Sequence, residues 1–143
     1  GTPIGHIRDE ELRLVEDRLD QLKSKSILVS MHHCPIALGC QWLDKQKVNN
    51  PGGLYELLAS HSNVKLVVTG HVHQQHDGLW NNLPLYTTPS SCIQFKQHSV
   101  DFALSDQPPG YRWFDLRADG TVKTDVEFIR NFDQYPDTDN AGY

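Results

Sequence analysis

Two short apolar runs, each followed within two residues by a histidine, are the feature that most constrains how this chain folds. Residues 26–31 (Ser-Ile-Leu-Val-Ser-Met) lead into His32, and residues 64–69 (Val-Lys-Leu-Val-Val-Thr) lead into a Gly-His-Val-His tetrapeptide. Runs of this length and composition predict strands, and the first favours a strand buried on both faces of a parallel or mixed sheet. Between them, Asn50 offers an N-cap and Pro51 a first helical position. The sequence therefore predicts a strand–helix–strand unit.

Hydrophobic periodicity predicts the remaining elements. Apolar residues recur at three- and four-residue intervals from Leu12 to Leu22, which indicates an amphipathic helix with an acidic first turn. Near the end of the chain, two alternating runs flank an Ala-Asp-Gly turn and predict a hairpin on an antiparallel sheet edge. The predicted elements are helices over residues 9–23 and 51–61, strands over 26–31, 64–69 and 83–88, and hairpin strands over 111–116 and 121–129.

Chain length and net charge limit the fold class and the partners. The 143 residues suit one α/β domain, which we place at residues 1–130, followed by a polar tail at 131–143 that wraps the surface or frays. The net charge of −5 and the scattered basic residues argue against nucleic acid as a partner.

No segment predicts insertion in a membrane or secretion. No run approaches the roughly 20 apolar residues of a membrane span, and no leader opens the chain. The three cysteines, Cys34, Cys40 and Cys92, are odd in number and lack C-x-x-C spacing, which favours free thiols in a reducing compartment. We therefore expect a cytoplasmic protein without a membrane partner.

The positions of four histidines indicate a metal site. His32 and His33 follow the first predicted strand, and His71 and His73 follow the second after Gly70. Because ligands bind beyond the carboxyl ends of strands in open α/β sheets, parallel strands would bring both pairs to one rim. Alternate residues of extended backbone project to the same side about 6–7 Å apart, a separation that could serve two metal ions about 3.5–4 Å apart.

A purely structural role for these histidines is the alternative, since an isolated His-x-His sequence is common without metal. Its position after an apolar strand and a glycine, with a second histidine pair at the matching strand end, favours the metal site. The other histidines lack this placement and are predicted to be solvated or in surface loops; they are His6, His61, His76 and His98.

The motifs resemble those of a known superfamily. Gly70-His71-Val72-His73 resembles the last motif of the calcineurin-like metallophosphoesterases, and His32-His33-Cys34-Pro35 resembles their penultimate motif. Further segments are similar to the bacterial 3′,5′-cyclic AMP phosphodiesterase branch of that superfamily: residues 39–44, 88–95, the 111–129 hairpin and the 136–143 tail.

The resemblance implies a fold and a ligand set. It implies the carboxy-terminal half of a four-layer α/β/β/α sandwich, with a mixed sheet, flanking helices and a terminal β-hairpin. It places His32 and His71 on one metal ion and His73 on a second. His33 would orient a ligand or donate to a phosphate oxygen, although the roles of His32 and His33 could be exchanged. The ions implied are two divalent or mixed-valence iron, manganese or zinc ions.

The chain departs from the superfamily pattern in one respect. The Asp-x-His, Gly-Asp-x-x-Asp and Gly-Asn-His motifs that supply the other ligands are absent from the sequence. With three of the seven expected ligands, the chain alone is expected to bind metal weakly and to be inactive, while the full-length parent hydrolyses 3′,5′-cyclic AMP. Self-association through the exposed sheet edge is one expected way of covering that edge.

The roles of two residues and the function of the protein have alternative interpretations. Trp42 and Gln94 are candidate substrate-binding residues; Trp42 could instead pack against the missing half, and Gln94 could be a core residue at a strand end. Alternative functions are a glycerophosphodiesterase, a broad-specificity metallophosphodiesterase, a domain that keeps the fold without catalysis, and a non-catalytic metal-binding or assembly module.

Overall fold

Four strands form the sheet that carries the histidine clusters. The computed structural model describes residues 2–133. Among these residues, the elements in chain order are α1 (Asp9–Gln21), β1 (Ile27–Met31), α2 (Gln41–Asp44), α3 (Gly52–Ala59), β2 (Val64–Thr69), β3 (His76–Trp80), β4 (Leu83–Thr87), β5 (Gln94–Phe95), β6 (Leu104–Ser105), β7 (Gly110–Leu116) and β8 (Val122–Phe128). Of the polar tail predicted at residues 131–143, residues 134–143 lie outside the described part of the chain.

The main sheet is mixed, as predicted. Its strand order is β1-β2-β4-β3, with β1 and β2 parallel, β2 and β4 parallel, and β3 and β4 antiparallel. The β1–β2 register pairs Met31 with Thr69, so both strands end at the same level. The core lies around β2 and β4, where Leu58 of α3, Val67 and Leu85 are fully buried.

The first strand is less buried than the sequence predicted. β1 is half-buried along most of its length, and Ser30 is exposed. The prediction of burial on both faces is therefore wrong for β1. Within the described residues β1 pairs only with β2 and forms a sheet edge, whereas the central strand β2 is buried almost throughout.

The helices form where periodicity placed them, with corrections at their ends. α1 ends at Gln21, and Leu22 at its C-cap is 42% exposed, so the predicted apolar stripe stops at the buried Leu19. Asn50 does not cap α3 as predicted, because Pro51 occupies the cap position. The Asn50 side chain instead accepts a hydrogen bond from the Ile7 N–H (2.9 Å) and donates one to the Ile7 carbonyl (2.7 Å).

The sequence did not predict four short elements, and it predicted the position of the hairpin only in part. β3 contains Asp77 and Gly78, which are poor strand formers, so its pairing with β4 decides its conformation. The four-residue helix α2 and the two-residue strands β5 and β6 also lacked a periodic signal. β7 and β8 form the predicted hairpin, but they make a separate two-stranded sheet rather than extending an edge of the main sheet.

Candidate metal centre

The parallel pairing of β1 and β2 brings the two histidine clusters to one rim of the sheet. Both strands end at this rim, and the chain continues into His32 from β1 and into Gly70 from β2. The His32 carbonyl accepts hydrogen bonds from the Gly70 N–H (3.2 Å) and the His71 N–H (3.0 Å). The backbone therefore fixes His71 beside His32, as predicted from the position of both residues after the two strands.

Three imidazoles converge at this rim. The ring nitrogens of His32, His33 and His71 that could bind a metal all lie within 4.8 Å of one another. The His71 Nδ1 and His32 Nε2 atoms are 3.1 Å apart. Two imidazoles bonded at about 2.0–2.1 Å to one tetrahedral zinc-like ion place their nitrogens about 3.3–3.4 Å apart. The 3.1 Å between His32 and His71 matches a direct hydrogen bond and is a few tenths of an ångström short of the spacing on a shared ion.

An oxygen atom lies beside one ring nitrogen of His71 and beside one ring nitrogen of His73. His71 Nε2 lies 3.0 Å from Gln46 Oε1, and His73 Nδ1 lies 3.0 Å from the Ile93 carbonyl. A carbonyl oxygen only accepts, so the proton sits on the nitrogen facing it and the opposite nitrogen keeps its lone pair. Metal-binding histidines usually have such an oxygen partner. The donor set at this rim therefore fits a metal ion.

His73 does not belong to the cluster of ring nitrogens that lie within 4.8 Å of one another. Residues 70–73 form a turn in which the His73 N–H donates to the Gly70 carbonyl (3.2 Å) and His73 has φ 48°. The prediction of extended backbone from His71 to His73 is therefore wrong, because the turn buries Val72 in the core. The His73 ring stacks on Phe95 at 4.4 Å between centroids, with the planes 3° from parallel.

Burial favours the neutral form of three imidazoles, those of His33, His71 and His73. Burial, with the nearby charges of His33, His32 and His73, lowers the pKa of His71 to about 4. Burial is also the main cause of the lowered pKa of His33, which His32 lowers further and a hydrogen bond to the Pro3 carbonyl partly offsets. The pKa of His73 is likewise lowered, mainly by burial. Neutral imidazoles retain the lone pairs that metal binding requires.

The two candidate substrate-binding residues have contacts within the chain. Trp42 is half-buried; its ring lies 4.9 Å from Phe95 and 5.2 Å from Phe102 between centroids, and its Nε1 donates to Ser99 Oγ (3.3 Å). Gln94 is 1% exposed. Its amide binds the Ser90 N–H (2.9 Å), the Ser90 carbonyl (2.7 Å) and the Pro108 carbonyl (3.1 Å). Contact of either residue with substrate stays a prediction.

The remaining histidines are only partly as predicted. His6 and His98 are exposed, but His61 is half-buried with Nδ1 2.9 Å from the Leu57 carbonyl, and the half-buried His76 begins β3. All three cysteines are free thiols, as predicted. Sequence reasoning missed Gln46 because a polar residue between two lysines carries no periodic or motif signal.

Comparison with known proteins identifies relatives along the whole chain. No family model matches the sequence. The 3′,5′-cyclic adenosine monophosphate phosphodiesterase CpdA of Escherichia coli strain K12 is 38% identical over 143 residues, covering 100% of this chain and 52% of that protein. The chain is a relative of bacterial cyclic AMP phosphodiesterases. This confirms the resemblance inferred from the two histidine motifs.

Other relatives agree with this assignment. CpdA of Pseudomonas aeruginosa is 36% identical over 143 residues, covering 100% of this chain and 53% of that protein. A 3′,5′-cyclic-nucleotide phosphodiesterase of a Nostoc species is 32% identical over 125 residues, covering 87% of this chain and 47% of that protein. The chain therefore spans about half the length of the curated relatives it matches. Among residues 2–133, no helix has the length and hydropathy to cross a membrane.

Proposed function

We propose that the full-length protein containing this chain hydrolyses 3′,5′-cyclic AMP at a two-metal site to which the chain contributes His32, His71 and His73. The convergence of His32 Nε2 and His71 Nδ1 at 3.1 Å is the observation that carries the proposal. The names of the relatives supply the substrate class. The complete fold is the four-layer sandwich, and its metal ions are iron, manganese or zinc, in a cytoplasmic protein.

Each histidine has a distinct role in this proposal. His32 and His71 hold one ion and His73 holds the other through Nε2, because its Nδ1 donates to Ile93. His33 orients a ligand or donates to a phosphate oxygen from its place 4.4 Å from the His71 ring between centroids. When bound, two cations neutralise phosphoryl oxygens and lower the pKa of a bound water.

The chain alone is inactive in this proposal. A zinc-like ion needs about four ligands, and three imidazoles shared between two ions supply fewer than that to each. The remaining ligands come from the other part of the full-length protein. That part also covers the half-buried edge strand β1, and a second copy of the chain could take its place on that edge.

A non-catalytic metal-binding module is the second candidate function. It is favoured by the convergence of His32, His33 and His71, since this chain supplies all three residues. Three ligands on one ion form a mononuclear site that needs no second ion. Such a module binds one zinc ion tightly per chain and has no phosphodiesterase activity in any longer form.

Metal loading and hydrolysis separate the two candidates. The full-length protein is stripped with a chelator, reloaded with manganese or zinc, and assayed on cyclic AMP and on a glycerophosphodiester. We expect metal-dependent cyclic AMP hydrolysis, with a loss of at least about 100-fold in His71→Ala. His98→Ala, which changes an exposed histidine outside the cluster, is the matched control. An inactive full-length protein together with tight zinc binding by the chain would favour the module.

A further inference from the structure

Gln46 contacts the metal centre from a segment that no motif marks. It follows α2 and precedes Val48, which forms a β-bridge with Gly5. Its side-chain oxygen lies 3.0 Å from His71 Nε2, on the side of the ring opposite the nitrogen that faces His32. The side chain is therefore placed to control which His71 nitrogen carries the proton.

The backbone of Gln46 is held on both sides. Its N–H donates to the Leu43 carbonyl (2.8 Å), and its carbonyl accepts from the Gly5 N–H (3.3 Å). Leu43 is buried in the core, so this anchor belongs to the rigid part of the fold. A half-buried side chain on a fixed backbone presents its amide to His71 with little freedom to turn away.

We infer that Gln46 is a positioning residue for the metal centre: its side-chain oxygen holds His71 as the Nε2–H tautomer. That tautomer leaves a lone pair on Nδ1, the atom 3.1 Å from His32 Nε2. The inference rests on the proposed function in one respect, since it assumes that His71 binds a metal through Nδ1. Gln46 itself contacts neither metal nor substrate in this role.

The chemistry of the amide explains why this residue type suits the position. Its oxygen accepts the imidazole N–H, and it adds no charge beside a site that must attract an anionic phosphodiester. The Ile93 carbonyl serves His73 in the same way from the opposite ring nitrogen. A methionine at position 46 would keep the length of the side chain but remove the strong acceptor, whereas a glutamate would keep an acceptor.

The test compares three variants of the chain: Gln46→Met, Gln46→Glu and, as the matched control, Lys45→Met. Lys45 is the exposed neighbour of Gln46. Long-range ¹H–¹⁵N spectra of the metal-free chain, recorded where imidazoles are neutral, report the His71 tautomer directly. Titration with Zn²⁺ alone reports the affinity, and backbone amide spectra check that each variant is folded.

We expect the wild-type chain to show His71 protonated at Nε2, with a hydrogen-bonded proton protected from solvent exchange. Gln46→Met should lose that protection and bind Zn²⁺ about 10-fold more weakly, while Gln46→Glu and Lys45→Met keep both properties. His71 protonated at Nδ1 in the wild-type chain would overturn the inference. So would a folded Gln46→Met with unchanged proton protection and Zn²⁺ affinity.

The tautomer measurement does not depend on the proposed function. A full-length protein without cyclic AMP hydrolysis would overturn the phosphodiesterase proposal and leave the His71 spectrum as it is. Conversely, an active protein whose His71 carries its proton on Nδ1 would overturn only the role of Gln46.

Discussion

Arg112 of β7 donates its Nε hydrogen to the Thr87 carbonyl at the end of β4, across 2.9 Å. The same guanidinium donates to Thr124 Oγ1 (3.2 Å), pairs with Asp77 of β3 and lies 5.1 Å from the centre of the Tyr86 ring. Its side chain is fully buried. One arginine therefore links the separate hairpin to the two strands at the β4–β3 side of the main sheet.

Replacement of Arg112 should destabilise the fold through this link. Arg112→Met leaves the Thr87 carbonyl without this donor, and we expect the free energy of unfolding to fall by about 2–3 kcal/mol. Urea denaturation followed by circular dichroism measures the change. Arg117→Met, which breaks only the exposed pair with Asp115, should change stability by less than about 0.5 kcal/mol. Equal effects of the two variants would contradict the linking role.

Gly5 lies where no side chain fits. A Cβ at this position would lie 2.9 Å from the Cβ of His33 and 3.1 Å from Val48 Cγ2. Gly5→Ala should therefore push the Gly5 segment off His33, lowering stability by about 1–3 kcal/mol and weakening Zn²⁺ binding. Gly52→Ala is the matched control, since a Cβ there meets nothing within 4 Å. In the helical backbone of α3 the alanine should raise stability by about 0.5–1 kcal/mol.

The three thiols should differ in reactivity. Cys34 and Cys40 are buried, whereas Cys92 is exposed, and burial raises the pKa of Cys34. Because the thiolate is the reactive form, a thiol reagent should modify one cysteine per native chain, at Cys92. Mass spectrometry after brief alkylation identifies the site, and Cys92→Ser should abolish fast labelling. Fast labelling of Cys34 or Cys40 in the folded chain would contradict their burial.

Acid should destabilise the metal-free chain through His71. Its pKa falls from 6.5 to about 4 on folding, so the unfolded chain binds a proton that the folded chain does not. Stability is therefore at its full value above pH 6.5 and falls as the pH drops towards about 4. The lowered pKa values of His33 and His73 act in the same direction. Denaturation midpoints across this pH range should fall less steeply in His71→Gln than in His98→Gln.

Local pattern predicted the shared rim of the histidines only on the condition that the two strands are parallel. Residues 26–31 and 64–69 are short, apolar and separated by a helix, which favours two parallel strands with their carboxyl ends together, and the structure pairs them in this way. The pairing of the hairpin strands was also predictable, because both strands alternate around an Ala-Asp-Gly turn, and Gly120 adopts φ 82° there. Elements without a period, such as β3 and α2, were not predictable, since tertiary pairing and packing decide them.

The sequence by itself determined which residue types reach the rim, because histidines lie within two residues of the ends of two apolar runs that predict strands. Only the tertiary structure decided how their rings are oriented. The chain turns at residues 70–73 with Val72 buried in the core, so His71 and His73 do not project from one extended segment. Gln46 meets His71 because a local hydrogen bond to Leu43 and a distant one from Gly5 hold its backbone. The contacts of Gln46 with Gly5 and with His71 join segments far apart in sequence, which no local pattern encodes.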